Sequence, residues 1–148
     1  MKVKIQVSEK NYQWASETML ACGFELDDDA DFIFLEKATG IPFLKCRKEN
    51  ENFHIPLNEI LYFESIGHNI HVHTSCEIYR CSSRLWQLEK ELDAAEFLRI
   101  SHSVIIARNK VIKIKSALSQ KFHLTMSNGT VVDVTRSYYY SFKEKFHL

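Results

Sequence analysis

Short segments in which apolar and polar residues alternate make up most of the chain from about residue 41 onward. Alternation with a period of two predicts half-buried strands, and polar turns separate the segments. In chain order the predicted strands are IPFLKCR, FHIPL, ILYFES, IHVHT, IYRC, VIKIK, KFHLTM and VVDV. The dipeptide Asn128-Gly129 before the last of them is typical of a two-residue hairpin turn. We therefore expect an antiparallel β domain.

Two short helices are predicted within this domain. The first spans about residues 84–93, is capped by Ser82 or Ser83, and places leucines on one face: Leu85, Leu88 and Leu92. The second begins at Ser137 and buries aromatic side chains: Tyr138 or Tyr139, Phe142 and Phe146. The predicted fold class is therefore mainly β, or α+β over the whole chain.

A small βαβ segment is predicted before this domain. A strand in MKVKIQV is followed by a helix over about 9–22, with Ser8 as its cap and Gly23 as its stop. A second strand, FIFLE, follows an acidic turn. The apolar stripe of the helix is predicted to include Trp14, Ala15, Met19 and Cys22.

The boundary between the segment and the domain is predicted near residues 38–43. Gly40 and Pro42 interrupt the pattern there, as they commonly do between structural elements. We therefore divide the chain into a small N-terminal segment, residues 1–42, and a domain of residues 43–148.

The net charge of zero is the average of two unlike halves. From Glu9 to Glu36 there are eight acidic residues and one basic residue, whereas from Arg99 to Leu148 there are nine Lys or Arg and two acidic residues. The local field steers binding more than the total charge does, so the basic half indicates a polyanionic partner, unless it is a merely solvated face. The acidic segment would repel phosphate, which predicts a regulatory or dimerising role for it.

Targeting signals and cysteine usage point to the cytoplasm. No apolar run could span a bilayer, and the N-terminus has no apolar region of the kind that directs secretion. The cysteines lack the paired spacing of a zinc ribbon and are expected to be reduced, small buried residues. They are Cys22, Cys46, Cys76 and Cys81.

Patterns for catalysis and metal binding are weak. His71 and His73 share one predicted strand face near Cys76, and a third ligand in tetrahedral geometry would be needed to hold zinc. Polar, solvent-facing strand positions also explain the two histidines. The run Ser101-His102-Ser103 places a histidine beside hydroxyls without a glycine-rich elbow or an orienting acid. We expect no enzyme, no bound metal and no cofactor.

The stretch FLRISHSVIIARNKVIKI, residues 97–114, carries more hydrogen-bond donors than a core strand accommodates, and no acidic residue lies between Arg99 and Asp133. Such donors suit DNA, because Arg and Lys neutralise phosphates, Ser and Asn position the backbone, and Arg or His reaches base edges. They belong on loops that project from a rigid scaffold. Three segments between predicted elements carry them: 67–69, 99–103 and 135–137.

Four motifs resemble a known family. IPLNEILYFESIGHNIHVHT, RLWQLEKEL, FLRISHSVII and SNGTVVDVTRSYYYSF follow, in order and spacing, the LytTR DNA-binding domain of bacterial transcription regulators. The resemblance covers about residues 43–148. It implies an elongated antiparallel β-sheet fold that inserts loops into successive major grooves on one side of double-stranded DNA. It further implies a stand-alone, sequence-specific regulator that binds promoter direct repeats as a homodimer, and some such members are held inactive by a small membrane protein.

The resemblance also assigns residues to the site. The candidates for reading bases are His68, Asn69, His102 and Arg136. The candidates for backbone contacts include the cations of the donor-rich stretch. They are Arg99, Ser101, Ser103, Arg108, Lys110, Lys113, Lys115 and Ser137. The chain departs from the usual family pattern at Ser101, His102 and Ala107.

Alternatives stay open at this point. Arg136 has a structural alternative, in which it caps the last helix or pairs with Asp133. The whole protein has two other possible functions: a zinc-dependent binding protein built on His71, His73 and Cys76, and a protein-interaction module whose basic face binds an acidic partner. None of these functions implies a small-molecule substrate.

Overall fold

The structure, a computed structural model, describes residues 1–36 and 41–148. Two compact units divide the chain, Met1–Ala38 and Thr39–Leu148. Gly40, which the sequence predicts as part of the boundary, lies outside the described residues. No helix in the part of the chain that the structure describes is long and apolar enough to cross a membrane.

The N-terminal unit contains strand β1 (Lys2–Gln6), helix α1 (Glu9–Ala21), strand β2 (Glu25–Leu26) and strand β3 (Phe32–Leu35). β1 is the central strand and pairs in parallel with β2 on one side and β3 on the other. The predicted strand–helix–strand order is confirmed, with the short β2 as an addition.

The helix α1 differs from its prediction in two details. Ser8 is the N-cap residue, but its side chain makes no capping bond, and its backbone N–H donates instead to Glu36 Oε2 at 2.7 Å. The predicted apolar stripe is wrong, because Ala15 is buried whereas 63% of Trp14 is exposed. The sheet of the N-terminal unit is narrow, with three strands of two to five residues. Of the helix residues only Ala15, near its middle, is buried.

The C-terminal unit is built from two antiparallel sheets and two short helices. The strands of the larger sheet are β4 (Phe43–Lys48), β5 (Glu51–Pro56), β6 (Ile60–Ile66), β7 (Asn69–Thr74), β8 (Ile78–Cys81), β9 (Phe97–Arg99) and β10 (Val104–Ala107). The strands of the smaller sheet are β11 (Val111–Ala117), β12 (Lys121–Met126) and β13 (Val131–Val134). Helix α2 (Leu85–Glu91) lies between β8 and β9, and helix α3 (Tyr139–Lys145) follows β13. The predicted class, mainly β with antiparallel sheets and two short helices, is confirmed.

Strands β6 and β10 are neighbours in the larger sheet, whose order is β5-β4-β8-β7-β6-β10-β9, and both are covered on both faces. Ile105 and Ala107 of β10 join one hydrophobic cluster with the leucines of α2. Val104 and Ile106 join a second cluster with the smaller sheet and α3. Burial on both faces replaces alternation by continuous apolar runs. This arrangement explains ILYF in β6 and VIIA in β10.

The helices of the C-terminal unit begin later than predicted. α2 follows Arg84 rather than Ser82 or Ser83, and the Arg84 backbone N–H donates to Gln87 Oε1 at 2.8 Å. Its predicted buried face is confirmed, with Leu85, Leu88 and Leu92 in the core. A 3-10 turn, Arg136–Tyr138, precedes α3, whose Phe142 is fully buried.

The connection between β12 and β13 is longer than the predicted two-residue turn. Of Asn128 and Gly129 only Gly129 has a positive φ, at 86°, whereas a two-residue type I′ turn needs a positive φ at both central positions. The Gly129 N–H donates to Met126 O at 2.8 Å, and Asn128 Oδ1 accepts from the Thr130 N–H at 3.0 Å. The asparagine side chain therefore closes a wider loop.

The cysteines are free thiols in two different environments. Cys46 is buried and Cys81 is half-buried, and burial raises the pKa of Cys46 to about 12 and that of Cys81 to about 11. Cys22 and Cys76 are exposed. The expectation of small buried thiols is therefore wrong for these two. Cys22 follows α1 and Cys76 lies between β7 and β8, and at both places the chain turns away from the core.

Candidate nucleic-acid interface

Three segments of the C-terminal unit meet at one edge, which we call the loop edge: Ile66–Asn69, Ile100–Ser103 and Thr135–Ser137. Strands β6 and β10 are antiparallel partners, so the turn after β6 and the loop before β10 leave the sheet on the same side. The Ser65 N–H donates to Ser103 O at 2.7 Å, and the Thr135 N–H donates to Ile100 O at 3.1 Å. Backbone hydrogen bonds therefore tie the second segment to the first and the third.

The first segment is a tight turn that exposes His68 and Asn69. Gly67 has a φ of 60°, a left-handed conformation that glycine adopts without strain. Arg84, at the start of α2, is exposed, and its Nη1 donates to His68 O at 3.3 Å. Sequence reasoning missed this arginine. Its signal is its position directly before a helix, where Ser, Thr, Asp and Asn are the preferred residues.

The second segment is held from within by Arg99. Its Nε donates to Ser101 O at 3.0 Å and its Nη2 donates to His102 O at 2.7 Å, while Nη1 binds Glu89 Oε1. Ser101 is only 5% exposed, and its Oγ accepts from the Ser103 N–H at 3.2 Å. The side chains that this loop presents to solvent are those of His102 and Ser103.

The third segment carries Arg136 and Ser137, both exposed, in the 3-10 turn before α3. Asp133, which one of the two structural alternatives paired with Arg136, binds His123 Nδ1 instead, at 2.5 Å. Over residues 1–36 and 41–148 the Arg136 guanidinium has neither a hydrogen bond nor an ion pair. Tyr138 packs edge-on against the His102 ring, with 5.7 Å between centroids, which joins this segment to the second loop.

The structure separates two cations of the donor-rich stretch, Arg108 and Lys110, from the loop edge. Arg108 and Lys110 follow β10 at its far end, about 13 Å away at 3.3 Å per residue. Arg108 donates from Nη2 to Lys145 O at 2.5 Å and covers the Phe146 ring. Lys113 and Lys115 are exposed on the outer face of β11, across from Thr125 and His123.

The histidines of β7 form a small polar cluster beside the loop edge. His73 Nε2 lies 3.1 Å from Glu64 Oε2, and the His73 ring stacks on Tyr62 at 4.1 Å between centroids. Burial lowers the pKa of His73 below its ordinary value, although Glu64 acts in the opposite direction. His71 and His73 are 6.4 Å apart between ring centroids. Among the residues that the structure describes, no three His, Cys, Asp or Glu converge as a metal-ion site.

Exposed donors on loops at one edge of an antiparallel β scaffold are an arrangement that suits a DNA-binding module. Residues 50–147 match the family model of the LytTr DNA-binding domain. The chain therefore belongs to the LytTR DNA-binding domain family, as the sequence motifs predicted.

Relatives in bacterial signalling proteins agree with this membership. The chain is 32% identical over 72 residues to the sensory transduction protein LytT of Enterococcus faecalis, a match that covers 49% of this chain and 30% of that protein. It is 27% identical over 100 residues to the sensory transduction protein LytR of Staphylococcus saprophyticus, covering 67% of this chain and 39% of that protein. The chain thus matches only about a third of the length of these relatives.

A solved structure shares the fold. A LytTr DNA-binding domain from Bacillus cereus superimposes with a TM-score of 0.71 at 22% sequence identity. The superposition covers 74% of this chain and 100% of that chain.

We predict that Arg99 stabilises the second loop. Arg99→Gln removes the guanidinium bonds to Ser101 O and His102 O and the ion pair with Glu89, so the free energy of unfolding should fall by about 1–3 kcal/mol. Urea denaturation measures this change. The matched control is Arg136→Gln, which removes an exposed guanidinium without partners in the described structure and should change the stability by less than about 0.5 kcal/mol. Equal stability of the two variants would contradict the assignment.

Proposed function

We propose that the chain is a sequence-specific, double-stranded DNA-binding regulator of transcription that acts in the bacterial cytoplasm. The observation that carries the proposal is the loop edge, where three segments distant in sequence present donors side by side. In the proposed complex these segments enter successive major grooves of promoter DNA on one side of the duplex. Three loops on one scaffold suit groove reading, since each loop reaches a different part of the site.

Four exposed side chains are proposed to read bases. Arg136 offers a bidentate fork that matches the O6 and N7 acceptors of guanine, and Asn69 can pair with adenine in the same way. His68 and His102 each donate a single hydrogen bond to an acceptor such as N7. Because the Arg136 guanidinium has no partner within the described residues, it does not have to break an internal bond before it binds a base.

The backbone contacts are proposed to come from residues around these readers. Ser103 and Ser137 are exposed hydroxyls next to His102 and Arg136, and hydroxyls are common phosphate donors. Lys113 and Lys115 remain candidates because they are exposed on the outer face of β11.

Four other residues that the sequence predicted as DNA-backbone contacts are not proposed to contact DNA. Arg99 and Ser101 shape the second loop through their internal hydrogen bonds. Arg108 and Lys110 lie at the opposite end of β10, and we leave them outside the proposed footprint. The proposed interface is therefore smaller than the sequence suggested, and it is concentrated on exposed loop tips.

The N-terminal unit is proposed to dimerise the regulator on direct repeats. Its strand β3 exposes apolar side chains, with Phe32 at 59%, Ile33 at 51% and Leu35 at 62%. A unit of fewer than 40 residues rarely builds a sufficient core alone and commonly relies on association. A second copy of the chain is the proposed partner. A small membrane protein that holds the regulator inactive is the other partner that the family resemblance suggests.

Selection from a random-sequence library of DNA duplexes tests the function directly. We expect one enriched sequence, and affinity for it should fall steeply with salt because bound phosphates release counterions. Each lysine or arginine that neutralises a phosphate adds roughly −0.9 to the slope of log affinity against log salt. Salt-dependent binding without an enriched sequence would exclude sequence-specific regulation, and a flat salt dependence would exclude the proposed DNA interface. Tight binding to acidic proteins but not to DNA would favour a protein-interaction module.

Arg136→Ala tests the proposed base reading. Affinity for the selected duplex should fall by about 1–3 kcal/mol, or roughly 5- to 150-fold, while affinity for unrelated duplexes should change much less. A repeated selection with the variant should show relaxed preference at one base position. Lys110→Ala is the control and should leave both affinities nearly unchanged. Unchanged affinity of Arg136→Ala for the selected duplex would remove Arg136 from the readers.

Deletion of residues 1–40 tests the proposed role of the N-terminal unit. The shortened chain should bind a single half-site with unchanged affinity, because its loop edge is intact. It should lose cooperative binding to two half-sites about one helical turn apart. Gel shifts with one and two half-sites measure both quantities. A folded deletion variant that binds a single half-site weakly would show that the unit contributes to DNA contact.

A further inference from the structure

A basic groove lies on the exposed face of the larger sheet between β4 and β8. Its volume is about 790 Å³, and it is open to solvent. Among its lining residues are Lys45, Arg47 and Arg80, together with the polar side chains of Asn52, Asn69 and Ser82. The cations come from a part of the chain that precedes the basic half, so the charge count by halves did not reveal them.

Two arginines lie directly opposite each other in this groove. Arg47 of β4 and Arg80 of β8 are the paired residues of the antiparallel ladder, and His71 of β7 is the next residue across. Like charges that face each other across a sheet are destabilising. The register therefore starts two exposed arginine side chains from opposite positions on one face, and an anion between them would offset their repulsion.

Nearby carboxylates do not neutralise the groove. Within the described ranges, Lys45, Arg47 and Arg80 form no ion pair. The fourth cation that lines the groove, Lys48, is paired with Glu77. Glu49 is the acidic residue among those that line the groove. Three exposed cations thus remain without an ion pair in the described structure, against one lining carboxylate.

The groove is continuous with the loop edge through Asn69. This residue lines the groove and also belongs to the first loop of the edge. β7 and β4 are two strand spacings apart, which is about 10 Å and equals roughly three base pairs at 3.4 Å per base pair. DNA that lies on the loop edge and continues past β7 would therefore bring its next phosphates over Arg80 and Arg47.

We propose that this groove binds backbone phosphates of the DNA that flanks the segment read at the loop edge. The proposal rests on the proposed DNA-binding function and extends it to a second contact region. Guanidinium forks match phosphate oxygens in bidentate geometry, and the hydroxyl of Ser82 is a further donor. A groove of this chemistry holds the flank by charge and contributes no base preference.

The test compares two double variants with the same change in charge. Arg47→Gln/Arg80→Gln removes the opposed pair, whereas Lys110→Gln/Lys145→Gln removes two cations near the far end of β10. Fluorescence anisotropy measures affinity against sodium chloride for the selected duplex, once with flanks of about one helical turn on each side and once trimmed to the core. With the flanked duplex, the groove variant should flatten the salt slope by about two units, at roughly 0.9 per contact. With the trimmed duplex it should match the wild type, and the control should match the wild type with both.

Each other outcome overturns the proposal. Equal effects of the two double variants would reduce the groove to ordinary surface charge, and an equal loss with trimmed and flanked duplexes would place it away from the flank. Inorganic phosphate that binds the groove at matched ionic strength without displacing the flanked duplex would identify a free-phosphate site. Failure of the wild type to bind any duplex would instead refute the proposed function itself.

Folding is controlled in the same series. Removal of the opposed charges should leave the thermal midpoint of Arg47→Gln/Arg80→Gln unchanged or raise it. If that variant does not fold, Lys45→Gln/Arg47→Gln removes two groove cations and leaves Arg80 in place. The flattened slope with the flanked duplex alone is then expected from this variant, and an unchanged slope overturns the proposal.

Discussion

Burial of β6 and β10 on both faces is the constraint from which the C-terminal unit follows. One face of these strands packs against α2 and the other against the smaller sheet and α3. Where a strand is covered on both sides its side chains are buried, so the partly exposed and polar residues of β6 and β10 lie towards the strand ends and in the adjoining loops. The donors of the second loop lie at one end of β10, and Arg108 lies at the other.

The same packing divides the exposed face of the larger sheet. The smaller sheet and α3 cover that face at β6 and β10 through residues such as Tyr62 and Ile106. On β7, β8 and β4 the outward side chains include His71, Arg80 and Arg47, which lie beyond this cover. The hydrophobic cover thus leaves two polar regions, the loop edge at the strand ends and the basic groove on the open face, which adjoin at Asn69.

Local patterns in the sequence were sufficient for eight of the ten strands of the C-terminal unit, for the buried leucines of α2 and for the loops that carry the donors. They missed β9 and β10, which lie in the donor-rich stretch and do not alternate over a long enough segment. Features that depend on register could not be obtained in this way. The opposition of Arg47 and Arg80 depends on the pairing of β4 with β8, which 33 positions of sequence separate. Arg99 looked like a phosphate contact because its carbonyl partners in the loop and Glu89 are brought to it only by folding. The Asn-Gly turn was misjudged because a neighbouring backbone bond, from the Ser127 N–H to Lys110 O, helps to fix the loop.

The bonds that align the loop edge are made by backbone atoms, from Ser65 to Ser103 and from Thr135 to Ile100. Backbone bonds do not depend on which side chain a position carries. Mutations at His68 and Arg136, whose side chains do not take part in these bonds, can therefore accumulate with little cost to the scaffold. After gene duplication, a few exposed substitutions at the loop edge would change its chemistry, while selection on the core continues to preserve the frame.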